Sequence, residues 1–91
     1  MRNREVVREF LNHEPATGSN LYSTGDKLVS YATTIAEWQS GKVLLVNNTS
    51  YSRTTNKQRN HLYPIPDYIE VITLENVPRE TESLNYYFIN Q

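Results

Sequence analysis

The stretch Leu28-Val29-Ser30-Tyr31-Ala32-Thr33-Thr34-Ile35-Ala36-Glu37-Trp38-Gln39-Ser40-Gly41-Lys42-Val43-Leu44-Leu45-Val46 decides the fold class. From Leu28 to Trp38 the side chains alternate, with Val29, Tyr31, Thr33 and Ile35 on one side and Ser30, Ala32, Thr34 and Ala36 on the other. That period of two, with its β-branched content, predicts a half-buried strand. Ser40-Gly41 predicts a hairpin into Lys42–Val46, which is apolar on both faces and therefore central in its sheet. Upstream, Leu21-Tyr22-Ser23-Thr24 is followed by the turn signal Gly25-Asp26 and adds a third strand. The expectation is a three-stranded antiparallel meander.

The N-terminus reads as a short helix. Asn3 is a fair N-cap, Glu5 sits in the first turn, and Val6, Val7, Phe10 and Leu11 form an apolar stripe. Pro15 would end it, and residues 15–20 read as a loop. After Val46 the chain turns polar through His61. Thr55 with Gln58 three residues on is a capping box, predicting a helix from about Asn56 to Tyr63, ended by Pro64 and Pro66. Tyr68–Leu74 is rich in Ile and Val and reads as a strand, although Asp67 and Glu70 would also suit a helix start. In the last segment Leu84, Tyr87 and Phe88 fit i, i+3, i+4 behind Pro78, which favours a helix, while Tyr86-Tyr87-Phe88-Ile89 would suit a strand. The expected architecture is α+β in a single domain over 1–91: N-terminal helix, meander, short polar helix, C-terminal strand and helix.

Composition narrows the class. Of 91 residues, 37% are hydrophobic, 21% charged and 11% aromatic, too apolar for a disordered chain. A chain of this length buries only roughly 60–65% of its unfolded surface. No segment approaches the ~20 apolar residues of a membrane span, and the N-terminus has no apolar signal-peptide core. The absence of cysteine excludes a disulfide scaffold, a thiolate metal site and a Cys nucleophile, and suits a reducing cytoplasm.

The net charge of −1 is unevenly spread. Residues 1–37 carry −1; residues 38–66 carry Lys42, Arg53, Lys57 and Arg59 without a carboxylate; residues 67–91 carry Asp67, Glu70, Glu75, Glu80 and Glu82 against Arg79. Such a map bears on association rather than on fold.

Catalytic and metal chemistry find little support. His13 and His61 are the only histidines and have no carboxylate cluster at ligand spacing; His13, just past a helix, reads as a solvated residue suited to the dipole. No nucleophile turn or glycine-rich phosphate loop is present. The expectation is a non-enzymatic protein with no cofactor and no metal. Partner binding has two candidate surfaces. In the polar segment, Tyr51, Arg53, Lys57, Arg59 and Asn60, with His61, offer donors for phosphate or for an acidic protein, and Tyr51 or Tyr63 could stack on a base. The same residues would also suit a loop whose side chains merely satisfy its backbone, and a sequence pI of 6.1 is far from that of dedicated nucleic-acid domains. In the tail, Glu80 and Glu82 with the other carboxylates, interleaved with Tyr68, Tyr86 and Tyr87, would present a negative face to a basic groove.

From Asn20 to Arg59 the sequence resembles a family of small proteins common in phages and prophages. Its core reads roughly G-N-L-x-S-x-G-x-x-L-x-S-Y-x-T-x-I-A, then N-x-T-x-Y-S-x-T-T-S-x-H-Q, with Ser19 here in place of the first glycine. The matching residues are Asn20-Leu21, Ser23, Gly25, Leu28, Ser30-Tyr31, Thr33, Ile35-Ala36, Asn47, Thr49, Tyr51-Ser52 and Thr54-Thr55. Asn56-Lys57-Gln58-Arg59 stands where the family has Ser-x-His-Gln, so chemistry through that histidine is not carried over. The resemblance implies a phage-type origin and a bacterial host cytoplasm. It favours an inhibitor of a host defence or nucleic-acid machine, anti-CRISPR-like, that docks on a host protein such as a CRISPR effector nuclease and occludes it. Nucleic-acid binding through residues 51–61 is the alternative.

Overall fold

A computed structural model describes residues 2–49, 53–79, 81 and 83–89, with residues 53–55 as backbone. Helix α1 spans Asn3–Leu11 and is followed by five strands, β1 (Pro15–Thr17), β2 (Leu21–Thr24), β3 (Lys27–Ser30), β4 (Thr33–Trp38) and β5 (Val43–Asn47). Helix α2 (Arg53–Asn60), strand β6 (Glu70–Leu74) and helix α3 (Leu84–Ile89) complete the chain. The architecture is α+β. The six strands form one sheet in the order β1-β2-β3-β4-β5-β6, antiparallel from β1 to β5, with β6 parallel to β5.

The expected three-stranded meander is therefore corrected to five strands. The stretch Leu28–Trp38 is not one strand: it folds back at Tyr31-Ala32, where Ser30 pairs with Thr33. Tyr31 takes φ 54, a left-handed conformation that glycine or asparagine would normally announce. Pro15–Thr17, read as loop, pairs with β2 as the edge strand, with its proline at the first position where a missing N–H matters least. Between Leu28/Val29 the register with β4 shifts, so that Leu28 faces Ala36 while Val29 faces Thr34. The bulge puts the neighbours Ile35 and Ala36 into the same core, breaking the strict alternation read from the sequence.

Helix α1 places Val6, Val7 and Phe10 on the sheet, where they join Leu21, Leu28, Leu44, Val46 and Leu62 in the larger core. Its first turn begins with the Arg2 N–H donating to Glu5 Oε1 at 3.2 Å; Arg2, not Asn3, is the N-cap. The helix stops before Pro15 is reached. The His13 N–H donates to the Phe10 carbonyl and the Glu14 N–H to the Glu9 carbonyl, at 2.9 and 2.8 Å, with His13 at φ 62. This is a Schellman stop with histidine where glycine is usual. His13 is not merely solvated: its ring stacks on Trp38 at a centroid distance of 4.1 Å, and its Nε2–H donates to the Gly41 carbonyl at 3.2 Å. Trp38 in turn donates from Nε1 to the Phe10 carbonyl at 2.9 Å.

Leu45 faces the opposite side of the sheet and, with Leu74, Val77 and Leu84, forms a smaller core under α3. Strand β5 is thus apolar on both faces because both faces are covered, as its sequence predicts. Helix α2 begins at Arg53, so Thr55 lies inside its first turn and not at its cap; the helix ends at Asn60, earlier than the expected Tyr63. The last segment is a helix. No helix among the described residues is long and apolar enough to cross a membrane.

Candidate functional site

Two surface features combine charge with exposed aromatic side chains. The first is a cleft of about 490 Å³ between α1 and the turn that follows α2. Helix α1 contributes Arg4, Val7, Arg8 and Leu11, a stripe at i, i+3, i+4, i+7 that lies along one face of a helix. The opposite wall is Asn60, His61, Leu62, Tyr63 and Pro64. The chain leaves α2 through tight closures in which the His61, Leu62 and Tyr63 N–H groups donate to the Gln58, Arg59 and Asn60 carbonyls at 3.1, 3.0 and 3.2 Å. Leu62 is fully buried and pins this turn to the larger core, while Tyr63 remains half exposed. Among the described residues no carboxylate lines the cleft.

The second feature is the β6 edge of the sheet. Asp67, Glu70 and Glu75 are exposed along and beside this strand, together with Tyr68 at 71% exposure and Val71. The Glu70 N–H donates to the Lys42 carbonyl at 2.8 Å, and Asn48 Nδ2 donates to Glu75 Oε1 at 3.4 Å. On α3, Tyr86 and Ile89 are also largely exposed, while Tyr87 turns its hydroxyl to the Glu75 and Asn76 carbonyls at 3.2 and 3.4 Å.

The residues singled out in the sequence fall unevenly on this surface. Asn60 lines the cleft and Lys57 is exposed on α2. Arg59 is half-buried, and its guanidinium donates to the Asn47 and Thr49 carbonyls at 3.4 and 3.0 Å. It ties α2 to the end of β5. Arg53 opens α2, and its side chain lies outside the described residues, as do Tyr51, Glu80 and Glu82. Gln58 is buried and accepts the Ser30 hydroxyl proton, which locks α2 to β3. Asn47 Nδ2 donates to the Thr34 carbonyl at 3.1 Å, the Thr49 N–H donates to Asn47 Oδ1 at 3.0 Å, and the Val77 N–H donates to Thr49 Oγ1 at 2.8 Å. Ser30, Asn47 and Thr49 thus fasten elements together.

Sequence reasoning missed Arg4 and Arg8. Their signal was available in the i, i+4 spacing on a helix whose next turn adds Val7 and Leu11, but the cleft they face exists only once α2 has folded back. It also missed Glu37, a buried carboxylate in an otherwise β-like run. Glu37 accepts from the Ser83 hydroxyl, the Leu84 N–H and the Asn85 N–H at 3.2, 2.8 and 3.3 Å, and from the Asn85 side-chain amide. It serves the start of α3 and faces no cavity described above.

The described residues contain no group of three or more His, Asp or Glu side chains arranged to hold a metal ion. No family model matches the chain, and no curated protein or solved structure matches it.

Proposed function

We propose that this chain is a non-catalytic binding protein that occludes a basic groove on a larger host partner, an inhibitor of a defence or nucleic-acid machine such as a CRISPR effector nuclease. The observation that supports this reading is the β6 edge, where Asp67, Glu70 and Glu75 are exposed at intervals along the chain and Tyr68 is exposed just before the strand. Spaced carboxylates imitate the charge that a nucleic-acid groove is built to receive, and complementary potential governs encounter rate and register. Tyr68 adds rigid contact area that loses little rotamer freedom on binding. The resemblance to phage proteins supplies the class of partner. The rival reading, nucleic-acid binding through residues 51–61, loses one of its cations to the Asn47 and Thr49 carbonyls that Arg59 holds.

The test is target cleavage by host effector nucleases with and without the protein. Cleavage is expected to fall as protein is added. Asp67→Lys with Glu70→Lys should weaken inhibition by at least about tenfold, since a rim-charge reversal acts on association, while Lys57→Glu should leave it intact. Unchanged cleavage across the nucleases, or full inhibition by the edge variant, would overturn the reading.

A further inference from the structure

We propose that the cleft between α1 and the 60–64 turn binds a nucleoside phosphate, with Arg4 and Arg8 on the phosphate oxygens and Tyr63 stacked on the base. This goes beyond the occlusion reading and uses none of the residues on the acidic edge.

Five observations converge. Arg4 and Arg8 stand one turn apart on the same face of α1, an arrangement of like charges that weakens a helix by itself. Among the described residues neither guanidinium has a hydrogen-bond or ion-pair partner, so both forks are available for the bidentate contacts that phosphate oxygens favour. The lining has an apolar part, the half-buried Leu11 together with Val7 and Leu62, which are almost wholly buried. The volume of about 490 Å³ falls in the range of small-ligand sites. In the other wall Tyr63 offers a half-exposed ring, and Asn60 offers an amide with both donors and an acceptor, the group that reads a base edge. An acidic peptide would satisfy the guanidiniums but would leave the ring and the amide without a complement. A bare phosphate would leave Leu11 and the ring unused.

The experiment is calorimetric titration of the full chain, with backbone amide shifts recorded in parallel. The probes are ADP, adenosine, inorganic pyrophosphate and a Glu-rich peptide with a central Phe. ADP should bind one-to-one and perturb residues 4–11 and 60–64. Arg4→Gln with Arg8→Gln, both exposed positions that keep helix propensity, should weaken ADP about a hundredfold at unchanged circular dichroism, following about tenfold for each lost charge-assisted contact. Tyr63→Ala should weaken ADP about tenfold, the usual scale for one stacked base, without changing pyrophosphate affinity. The proposal is overturned if millimolar ADP leaves these amides unmoved or if the double variant binds ADP as well as the parent chain. It is equally overturned if pyrophosphate matches ADP, which would leave a plain anion site, or if the peptide outcompetes ADP, which would make the cleft a peptide groove. None of these outcomes bears on nuclease inhibition, so failure here leaves the occlusion reading to its own assay.

Discussion

Helices α1 and α3 cover opposite faces of one sheet and are held there by different forces. Under α1 the contact is apolar: Val6, Val7 and Phe10 are buried against Leu21, Leu28 and Leu44. Under α3 only Leu84 is fully buried, beside Leu45, Leu74 and Val77, and the helix is positioned by hydrogen bonds to Glu37 from its first residues. In a small domain the two kinds of contact specify different things. A large apolar contact fixes that a helix docks, whereas a buried acceptor facing free N–H groups fixes where the helix begins.

The contrast is broken most severely by Phe10→Ala. Phe10 is fully buried and lies 5.8 Å from the Trp38 ring, centroid to centroid, so its truncation removes packing from the larger core and leaves a cavity. A loss of about 3–5 kcal/mol is expected, a large part of the stability of any small domain. Urea denaturation should show one cooperative shift, with α1, the sheet and α3 melting together.

Glu37→Ala should act more locally. Its carboxylate is buried at 4% exposure and accepts only from donors, so removal strands the Leu84 and Asn85 N–H groups at the start of α3. A cost of about 2–3 kcal/mol is expected, the scale of hydrogen bonds to a charged acceptor. Glu37→Gln should rescue little, because its amide would turn an NH2 group toward donors. Amide hydrogen exchange is the discriminating measurement: residues 84–89 should lose protection well before residues 3–11. Equal loss in both helices would show that α3 is held by its apolar contact after all.

That division also explains which parts of the fold could be read in advance. Helix α1 carries its burial in its periodicity, β5 in an apolar run covered on both faces, β2 in the turn signal behind it and β6 in its Ile and Val content, and each stands close to where the sequence puts it. The Tyr31-Ala32 turn was invisible because neither residue carries a turn signature; the chain folds there because pairing on both sides, with the Tyr31 N–H donating to the Asn20 carbonyl at 3.0 Å, outweighs local preference. Strand β1 is too short to show a period. The same limit applies to the surface. Lys57 and Asn60 were legible as a polar helix face, but Arg59 is engaged by carbonyls at the end of β5, a contact that no spacing within the segment encodes. Arg4 and Arg8 acquire a common target only when Leu62, 58 residues after Arg4, brings the second wall of the cleft beside them.

The smallest expected effect sharpens the comparison at two residues of nearly equal backbone conformation. His13 and Tyr31 have φ 62 and 54, and for either residue the left-handed region costs about 1–2 kcal/mol that glycine avoids. At Tyr31 the side chain is 60% exposed, so Tyr31→Gly should relieve the backbone with little loss and stabilise the chain by about 0.5 kcal/mol, after part of the gain is returned through the freer unfolded chain. At His13 the ring stacks on Trp38 and donates to the Gly41 carbonyl, so the same relief is set against a lost stack and a lost hydrogen bond, each worth about 1 kcal/mol. His13→Gly should therefore destabilise by about 1.5 kcal/mol. Opposite signs in parallel urea titrations would show that the histidine is kept at the end of α1 for what its ring touches; matching signs would mean that backbone conformation alone governs both positions.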